Sequence, residues 1–460
     1  MTETYSLHRR AALAGLAASL VPLSARGQAA PSAAATLRAA PARRRLLPDG
    51  PEEAELWLFE GPSPVPVLRA KQGEDFAARL VNDTPAPLTL HWQGLRGPNA
   101  VDGVGGLTQE PVPPGGSFEY RFRPPDPGLI LIRPMVPGRA GEAAGRGLCG
   151  LLVVEEREPP KVAADHALVL RDWRLERSGA LAPFGAPMEA AIAGRLGNRL
   201  SLDGQDPPRR IEAPAGSQVR LRLANGSNAR ILRIRFDDLK VYVAAVDGQP
   251  TDRFEPLRAS LPFPPGTRYD LLLELGPEAG RTGRVVAMLG DGVPLVEIAA
   301  TAPAGEPVAP ANLPLNPLLP PEIRLQNALR RDLAITGGAT RGPSGEPVWS
   351  GEPGAIWKIN GAAGGPGSPP LFTAKRGQPV VLALHNQTGF PQPIHLHGHV
   401  CRLLHALDDG WEPYWLDTVQ IAEGRTARIA FLADNPGKWA IGSSVLERLD
   451  TGLWGWFEVT

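Results

Sequence analysis

Three segments of the chain repeat one pattern of glycine, alternating strand and asparagine turn. They are KQGEDFAARLVNDT (71–84), PAGSQVRLRLANGS (214–227) and KRGQPVVLALHNQT (375–388). In each segment an Asn follows the Gly by nine residues, and a Ser or Thr follows the Asn by two. The alternation has the period of a half-buried strand, and Asn-x-Ser/Thr suits the turn that ends it. The pattern therefore predicts one β unit built three times.

A second marker follows each copy in the same order. Pro-Pro-Gly and an alternating strand occur in PVPPGGSFEYRF (111–122) and PFPPGTRYDLLL (262–273), while QIAEGRTARIAF (420–431) keeps the Gly and the alternation. Two markers in fixed order, three times, indicate a tandem of related domains. The 52 Gly and 51 Pro, with 43% hydrophobic residues, fit turn-rich β sandwiches better than disorder. We predict an all-β protein.

The two markers also set the expected domain boundaries. The predicted order is an export signal, two β domains, a Pro-rich linker and a last β domain, over residues 1–30, 46–157, 163–302, 303–344 and 345–460. Residues 31–45 are expected to form a flexible mature N-terminus. Residues 301–322 are expected to form an extended spacer, because Pro-rich segments favour extended chain.

The export signal is predicted from an arginine pair and the apolar run behind it. Arg9 and Arg10 precede an uncharged run over 11–25, which is too short and too Ala-rich to span a membrane. The pair resembles a twin-arginine signal, the alternative being an ordinary secretory signal with two chance arginines. In either case we expect an exported protein in a bacterial periplasm, with no transmembrane segment after signal removal.

The charge balance bears on the class of binding partner, and the cysteine content bears on disulfide pairing. Lys plus Arg equals Asp plus Glu, 48 each, so there is no electrostatic case for nucleic acid. Cys149 and Cys401 either pair or remain two buried thiols, and the sequence leaves both open. We expect a monomer that binds a protein partner whose identity the sequence does not reveal.

Histidines alternate in FPQPIHLHGHV (390–400). On a strand, alternate residues share a face, so His395, His397 and His399 are expected to point the same way. Such a row is a candidate metal site. The alternative is that the imidazoles are buried and hydrogen-bond to one another, to Gln93 or to the backbone at a domain interface.

The mature chain resembles a three-domain, laccase-like multicopper oxidase. The resemblance is strongest over TLHWQGLRGPNAVDGVGGLTQEPVPPGGSFEYRFRPPDPG (89–128), DGQP (247–250), GTRYDLLLE (266–274) and 391–460. It implies three tandem cupredoxin-like Greek-key β-sandwich domains with copper as cofactor. In that family a blue-copper centre uses two His and a Cys thiolate, often with a weak Met, and passes electrons to eight histidines that hold three coppers.

The first two family motifs keep one histidine here. The tetrapeptide HWQG stands where the family has His-Trp-His-Gly, so His91 remains and Gln93 replaces the second histidine. LIRPM stands where a Trp-Tyr-His-x-His run is expected, which puts Arg133 and Met135 at its two histidine positions. The third motif, QPIHLHGH, has Gln392 at the blue-copper position.

The resemblance implies that His91, His395 and His397 are the cluster histidines that remain. In the fourth motif, normally His-Cys-His with a further His and an axial ligand, the corresponding residues are Gly442, Ser443, Ser444, Arg448 and Leu453. The resemblance therefore implies that the thiolate and the two blue-copper histidines are absent.

Two arginines occupy former ligand positions. Arg133 and Arg448 would repel Cu²⁺ if their guanidinium groups pointed at the copper sites. For Arg448 the sequence offers an alternative, since Asp450 or Glu447 could pair with it.

Two functions stay open at this point. The first is an exported, non-catalytic family member that acts by protein interaction in the cell envelope and needs no cofactor. It is similar in logic to the copper-free, twin-arginine-exported member associated with bacterial cell division. The second is a divergent copper-binding oxidoreductase or metal carrier with one mononuclear copper at His91 and His395, completed by water.

Overall fold

The computed structural model describes residues 34–302, 311–404 and 410–460. The predicted export signal over 1–30 and the first part of the predicted linker lie outside the described residues. The described residues form 31 β strands and three short α helices, which confirms the all-β prediction. None of the helices in the described ranges has the length and apolar character needed to cross a membrane.

The first domain contains eight strands and one helix. They are β1 (Ala35–Arg44), β2 (Ala54–Phe59), β3 (Val67–Lys71), β4 (Phe76–Asn82), β5 (Leu90–Gln93), β6 (Ser117–Phe122), β7 (Gly128–Pro134), α1 (Ala140–Gly145) and β8 (Gly150–Glu155). Two four-stranded sheets pack face to face, in the orders β2-β1-β4-β6 and β3-β8-β7-β5. Because β1 belongs to the first sheet, the domain begins before residue 46, and residues 35–44 form a strand instead of the flexible N-terminus expected.

The second domain is a larger sandwich. Its elements are β9 (Ala164–Trp173), α2 (Pro187–Ala191), β10 (Arg199–Leu202), β11 (Arg209–Pro214), β12 (Gln218–Asn225), β13 (Leu232–Asp237), β14 (Lys240–Val246), β15 (Gln249–Phe254), β16 (Ser260–Phe263), β17 (Arg268–Glu274), β18 (Thr282–Ala287) and β19 (Val293–Thr301). The sheets run β10-β9-β12-β17-β14-β15 and β11-β19-β18-β13-β16.

The third domain carries the C-terminal helix. Its elements are β20 (Leu329–Gly337), β21 (Thr340–Arg341), β22 (Pro347–Val348), β23 (Trp357–Ile359), β24 (Thr373–Ala374), β25 (Gln378–Asn386), β26 (Gln392–Leu396), β27 (Arg402–Leu403), β28 (Thr418–Ile421), β29 (Thr426–Ala433), β30 (Gly437–Ser443), α3 (Leu446–Asp450) and β31 (Trp454–Val459). The two main sheets run β23-β20-β25-β29-β27 and β24-β31-β30-β26-β28. Since β20 pairs with β25, this domain begins before the expected residue 345.

The repeated template has the same structural role in all three domains. Strands β4, β12 and β25 each lie between a parallel partner (β1, β9, β20) and an antiparallel one (β6, β17, β29). At their ends, Oδ1 of Asn82, Asn225 and Asn386 accepts a hydrogen bond from the Ser or Thr hydroxyl two residues on, at 2.6, 2.5 and 2.7 Å. The amide nitrogens donate to backbone carbonyls across the turn. The template is therefore a central strand followed by a turn that the asparagine side chain stabilises with hydrogen bonds.

The described end of the predicted linker packs against the first two domains. Leu313 is buried with residues of β14 and β17. The amide nitrogen of Asn316 donates to Asp126 Oδ1 at 2.7 Å and to Gln249 Oε1 at 2.8 Å. This part of the spacer is thus built into a domain interface.

Both cysteines are buried free thiols. Cys149 lies in the first domain and Cys401 in the third, and neither takes part in a disulfide. Of the two alternatives left open by the sequence, the structure has the unpaired one.

Candidate metal centre

The three predicted histidines meet between the first and third domains. His91 lies on β5, His395 lies on β26, and His397 follows the end of β26. All three are buried, and their ligand nitrogens lie within 4.8 Å of one another. The structure therefore brings together the three residues that the sequence singled out, although 304 positions separate His91 from His395.

His91 and His395 point their Nε2 atoms at each other. Nδ1 of His91 donates to the backbone carbonyl of Asp102 at 2.8 Å, and Nδ1 of His395 lies 3.1 Å from the carbonyl of Asp417. These contacts leave Nε2 as the free ring nitrogen of both histidines, and the two Nε2 atoms are 3.1 Å apart. Two nitrogens bound to one tetrahedral zinc would be separated by about 3.3 Å. The spacing thus suits one ion shared by the two histidines.

His397 joins the pair through Asp102. Its Nδ1 lies 3.0 Å from Asp102 Oδ2, and its ring stacks on His91 with the centroids 3.9 Å apart. Burial lowers the pKa of all three histidines, so they are neutral at neutral pH. Burial alone would raise the pKa of Asp102, but His397 and His91 hold it below the ordinary value. Neutral imidazoles backed by a carboxylate are typical of metal sites.

Arg268 fixes the other side of the centre and contacts all three domains. Its Nη2 lies 2.5 Å from Oδ2 of Asp417, the neighbour of His395, and its Nε donates to the carbonyl of Leu129 at 2.9 Å. Nη2 also donates to the carbonyl of Asp247 at 2.9 Å. The sequence singled out the segments that contain Arg268 and Asp247 but assigned these residues no role. It also missed Asp102 and Asp417.

The positions assigned to blue copper also come together, around an arginine. Arg448 Nη1 donates to Gln392 Oε1 at 2.8 Å and to the carbonyl of Pro391 at 2.7 Å. Nη2 donates to the carbonyl of Ile192 in the second domain at 2.9 Å. The guanidinium carbon lies 4.9 Å from the ring centre of Trp357. The Arg448 side chain therefore joins its own position to Gln392, the two positions that the resemblance assigns to blue-copper histidines.

The carboxylates expected to pair with Arg448 have other partners. Asp450 accepts hydrogen bonds from three backbone N–H groups at the start of α1, the closest from Gly141 at 2.7 Å. Glu447 Oε1 accepts from Asn228 Nδ2 at 2.7 Å. The predicted pairing of Arg448 with Asp450 or Glu447 is wrong, because these two side chains leave α3 on a different side.

A second buried arginine contacts two positions that the resemblance assigns to cluster histidines, Gln93 and Ser444. Arg133 Nη1 donates to Gln93 Oε1 at 3.2 Å, and Nη2 reaches the carbonyl of Ser444 at 3.4 Å. Gln93 Nε2 donates to Thr418 Oγ1 at 3.2 Å, and within the described ranges no hydrogen bond joins the Gln93 side chain to the histidines. Burial lowers the pKa of Arg133 and of Arg448 to about 10, so both stay charged at neutral pH.

Comparison with known proteins identifies the family. Three family models, each described as "Multicopper oxidase", match residues 42–159, 169–282 and 340–460. The crystal structure of a multi-copper oxidase from Pseudomonas thermotolerans aligns with a TM-score of 0.81 at 32% identity, over 93% of this chain and 100% of that one. This chain belongs to the multicopper oxidase family. Its cupredoxin-like domains confirm the predicted fold class.

Other proteins similar to this chain have names that indicate different functions. Multicopper oxidase MmcO of Mycobacterium tuberculosis is 27% identical over 452 residues, covering 91% of this chain and 85% of that protein. Cell division protein FtsP of Proteus mirabilis is 29% identical over 241 residues, covering 49% of this chain and 48% of FtsP. Copper resistance protein A of Escherichia coli is 25% identical over 43% of this chain and 39% of that protein.

Whether copper fits this multicopper oxidase fold depends on the side chains at the expected blue-copper and cluster positions. Gln392, Ser443 and Arg448 offer an amide, a hydroxyl and a guanidinium, which do not supply the thiolate and imidazoles of a blue-copper centre. The cluster region has three imidazoles and the cation of Arg133, too few ligands for three coppers. The three histidines by themselves fit one ion, with water as the remaining ligand.

Proposed function

We propose that this chain is a non-catalytic multicopper oxidase family protein that acts by binding a protein partner in the cell envelope. The pair formed by Arg448 and Gln392 carries the proposal. An electron-accepting copper needs a thiolate and imidazoles. Here the buried guanidinium of Arg448 stands at one of the expected ligand positions and hydrogen-bonds to a second, Gln392, so its charge would repel a copper ion. Arg133 supports the proposal in the same way, because it adds positive charge where the cluster coppers would lie.

The envelope role has two supports. Arg9 and Arg10 precede an apolar run that is typical of an export signal. About half of the chain, 49%, aligns with cell division protein FtsP, whose name refers to cell division and not to an oxidase activity. Fold alone does not assign function, so the replaced site residues weigh more than the family name.

Protein exported through its own signal is expected to be colourless. It should show no copper–thiolate absorption band and no oxidation of phenols or cuprous ion, because the sulfur ligand is absent. Metal analysis, a visible spectrum and oxygen-uptake assays check this. The Pseudomonas thermotolerans oxidase, prepared in the same way, is the positive control for copper loading. A blue protein with several coppers per chain would contradict the proposal.

A single-metal site is the second candidate, favoured by the facing Nε2 atoms of His91 and His395. Dialysis against Zn²⁺ or Cu²⁺ should then load one ion per chain, and His91→Ala with His395→Ala should abolish loading, since only one nitrogen ligand of the three would remain. His385→Ala, on the surface of the third domain, is the matched control. A chain that takes up no ion after reconstitution removes this candidate.

A further inference from the structure

The outer face of one sheet in the third domain carries three arginines. The sheet runs β23-β20-β25-β29-β27, and its other face packs into the domain core through Leu333, Leu384 and Phe431. Alternate residues of a strand point to opposite faces, so the residues between these core positions form the outer face. That face is exposed at Arg330 on β20 and at Arg428 on β29.

The strand register places each arginine of this face beside a small apolar residue. The neighbours across the strands are Arg330 and Val381, Arg428 and Ala383, and Arg402 and Ala430. The floor between the arginines is therefore apolar and carries no charge of its own.

Exposed basic residues on other sheets of this chain stand opposite carboxylates instead. Three such register pairs form ion pairs, at 2.7, 3.1 and 3.0 Å: Arg43 with Glu55, Lys240 with Glu274, and Arg284 with Glu297. Opposite charges across two strands stabilise a sheet and neutralise its surface. The arginine face of the third domain departs from this pattern.

The three arginines lack carboxylate partners within the described ranges. Neither Arg330 nor Arg428 forms an ion pair there. Arg402 is held by a carbonyl and an aromatic ring: Nη1 donates to the backbone oxygen of Glu412 at 3.2 Å, and the guanidinium carbon lies 5.0 Å from the ring centre of Trp415. These guanidinium groups thus keep donors available for a carboxylate from outside the chain.

The remaining charges of the face leave it positive. Lys358 on β23 is exposed and lies opposite Thr336, which adds a fourth cation. Among the strand residues of the outer face, Asp332 is the one carboxylate, and His385 Nε2 lies 2.8 Å from its Oδ1. The whole chain has 48 basic and 48 acidic residues, so this excess of positive charge is local. A surface that complements it is acidic.

The layout of the face suits an extended protein segment better than a membrane. None of the large hydrophobic side chains exposed in the described ranges lies on it, so it has nothing to insert into a bilayer. Two strands separate Arg330 from Arg402, which puts their Cα atoms about 14 Å apart at the usual strand spacing. An extended chain covers about the same distance between residues i and i+4. Arg428 lies on one of the two strands between them.

We propose that this face binds an extended acidic segment of a partner protein, whose carboxylates form salt bridges with Arg330, Arg402 and Arg428. The inference rests on the proposed function, because it names the surface and the partner chemistry of a protein that acts by interaction. It uses none of the histidines of the candidate metal centre.

Fluorescence anisotropy with a dye-labelled peptide tests the face in the full mature chain. Acetyl-Glu-Thr-Glu-Thr-Glu-amide, whose carboxylates share one side when extended, should bind at least about tenfold more tightly than its Gln counterpart, because charge-assisted hydrogen bonds are about twice as strong as neutral ones. Arg428→Glu should remove this preference. Arg177→Glu makes the same charge change at an exposed site in the second domain and should leave the preference intact.

Salt dependence keeps the test decisive if Arg428→Glu does not fold. Binding of the Glu peptide to the unaltered chain should weaken between about 0.01 M and about 0.15 M salt, since the Debye length falls from about 30 to about 8 Å. Equal binding of the two peptides, or a preference that survives in folded Arg428→Glu, would overturn the inference.

Two further measurements separate the other occupants of the face. Tighter binding to phosphatidylglycerol vesicles than to the Glu peptide would assign the face to an anionic membrane surface and overturn the inference. Self-association of the unaltered chain that Arg428→Glu abolishes would assign the face to a second copy, with the same consequence. Copper content and oxidase activity test the proposed function separately: a copper-free chain that ignores the Glu peptide would reject this surface and leave the proposed function standing.

Discussion

The triple variant Gln392→His, Ser443→Cys and Arg448→His is expected to turn blue on addition of copper. Gln392 and Arg448 already lie in hydrogen-bond contact, and β30, which carries Ser443, pairs with the strand that carries Gln392. The backbone therefore holds the three positions close together. Leu453 corresponds in the family motif to the axial position, where the ligand is weak. The expected result is one copper per chain with a copper–thiolate band, measured by metal analysis and visible absorption.

The double variant Gln392→His and Arg448→His is the control for this experiment. Without the cysteine it has no thiolate, so any bound copper should lack the intense band. The triple variant should still reduce no dioxygen. It keeps Arg133, and it still has too few imidazoles to hold three coppers. A folded triple variant that takes up copper without the band would contradict the idea that the strands keep a blue-copper geometry.

The two buried arginines have a common structural effect. Arg448 connects the third domain to Ile192 of the second, and Arg133 connects the first domain to Ser444 of the third. Each donates to a glutamine oxygen, and within the described residues neither has a carboxylate in ion-pair distance. A guanidinium carries several donors in a fixed plane, so it can hold several carbonyls at once. Internal cations thus join these domains without a metal ion.

The fold was predictable because its signals are local. The glycine, the alternating strand and the turn asparagine lie within one short template, and each template forms the same strand and turn in the structure. The boundaries were less accurate because β1 and β20 precede the template. They join their sheets through parallel pairing with β4 and β25, to which no neighbouring sequence pattern points.

The site was predictable only in part. His91, His395 and His397 could be found because they stand in motifs that resemble those of a family. Asp102 and Arg268 could not, because their roles depend on contacts between domains that are far apart in the sequence. The orientation of side chains on the short helix α3 was equally hidden, since the sequence does not show which neighbours each side chain meets.

Arg268→Met is expected to lower the free energy of unfolding by about 3–5 kcal/mol, the typical cost of leaving a buried charge without its partner. The guanidinium is fully buried and contacts Asp417 and Asp247, so its removal leaves two carboxylates facing each other. Carbonyl acceptors in the first and second domains lose their donor as well. Denaturant unfolding near neutral pH measures the loss. Arg121→Met, at an exposed ion pair on β6, should cause no measurable change.

The pH dependence of this loss separates lost charge pairing from lost packing. Burial by itself would raise the pKa of Asp417, but Arg268 and His395 hold it below the ordinary value. Its ionised form therefore stabilises the fold above the unfolded pKa, and this contribution disappears as the pH falls. Burial and Asp417 raise the pKa of Asp247 to about 7 despite Arg268. Without the arginine both carboxylates should protonate more readily, so the deficit of Arg268→Met should shrink between about pH 7 and about pH 4. A deficit that stays constant over this range would mean that Arg268 acts through packing alone.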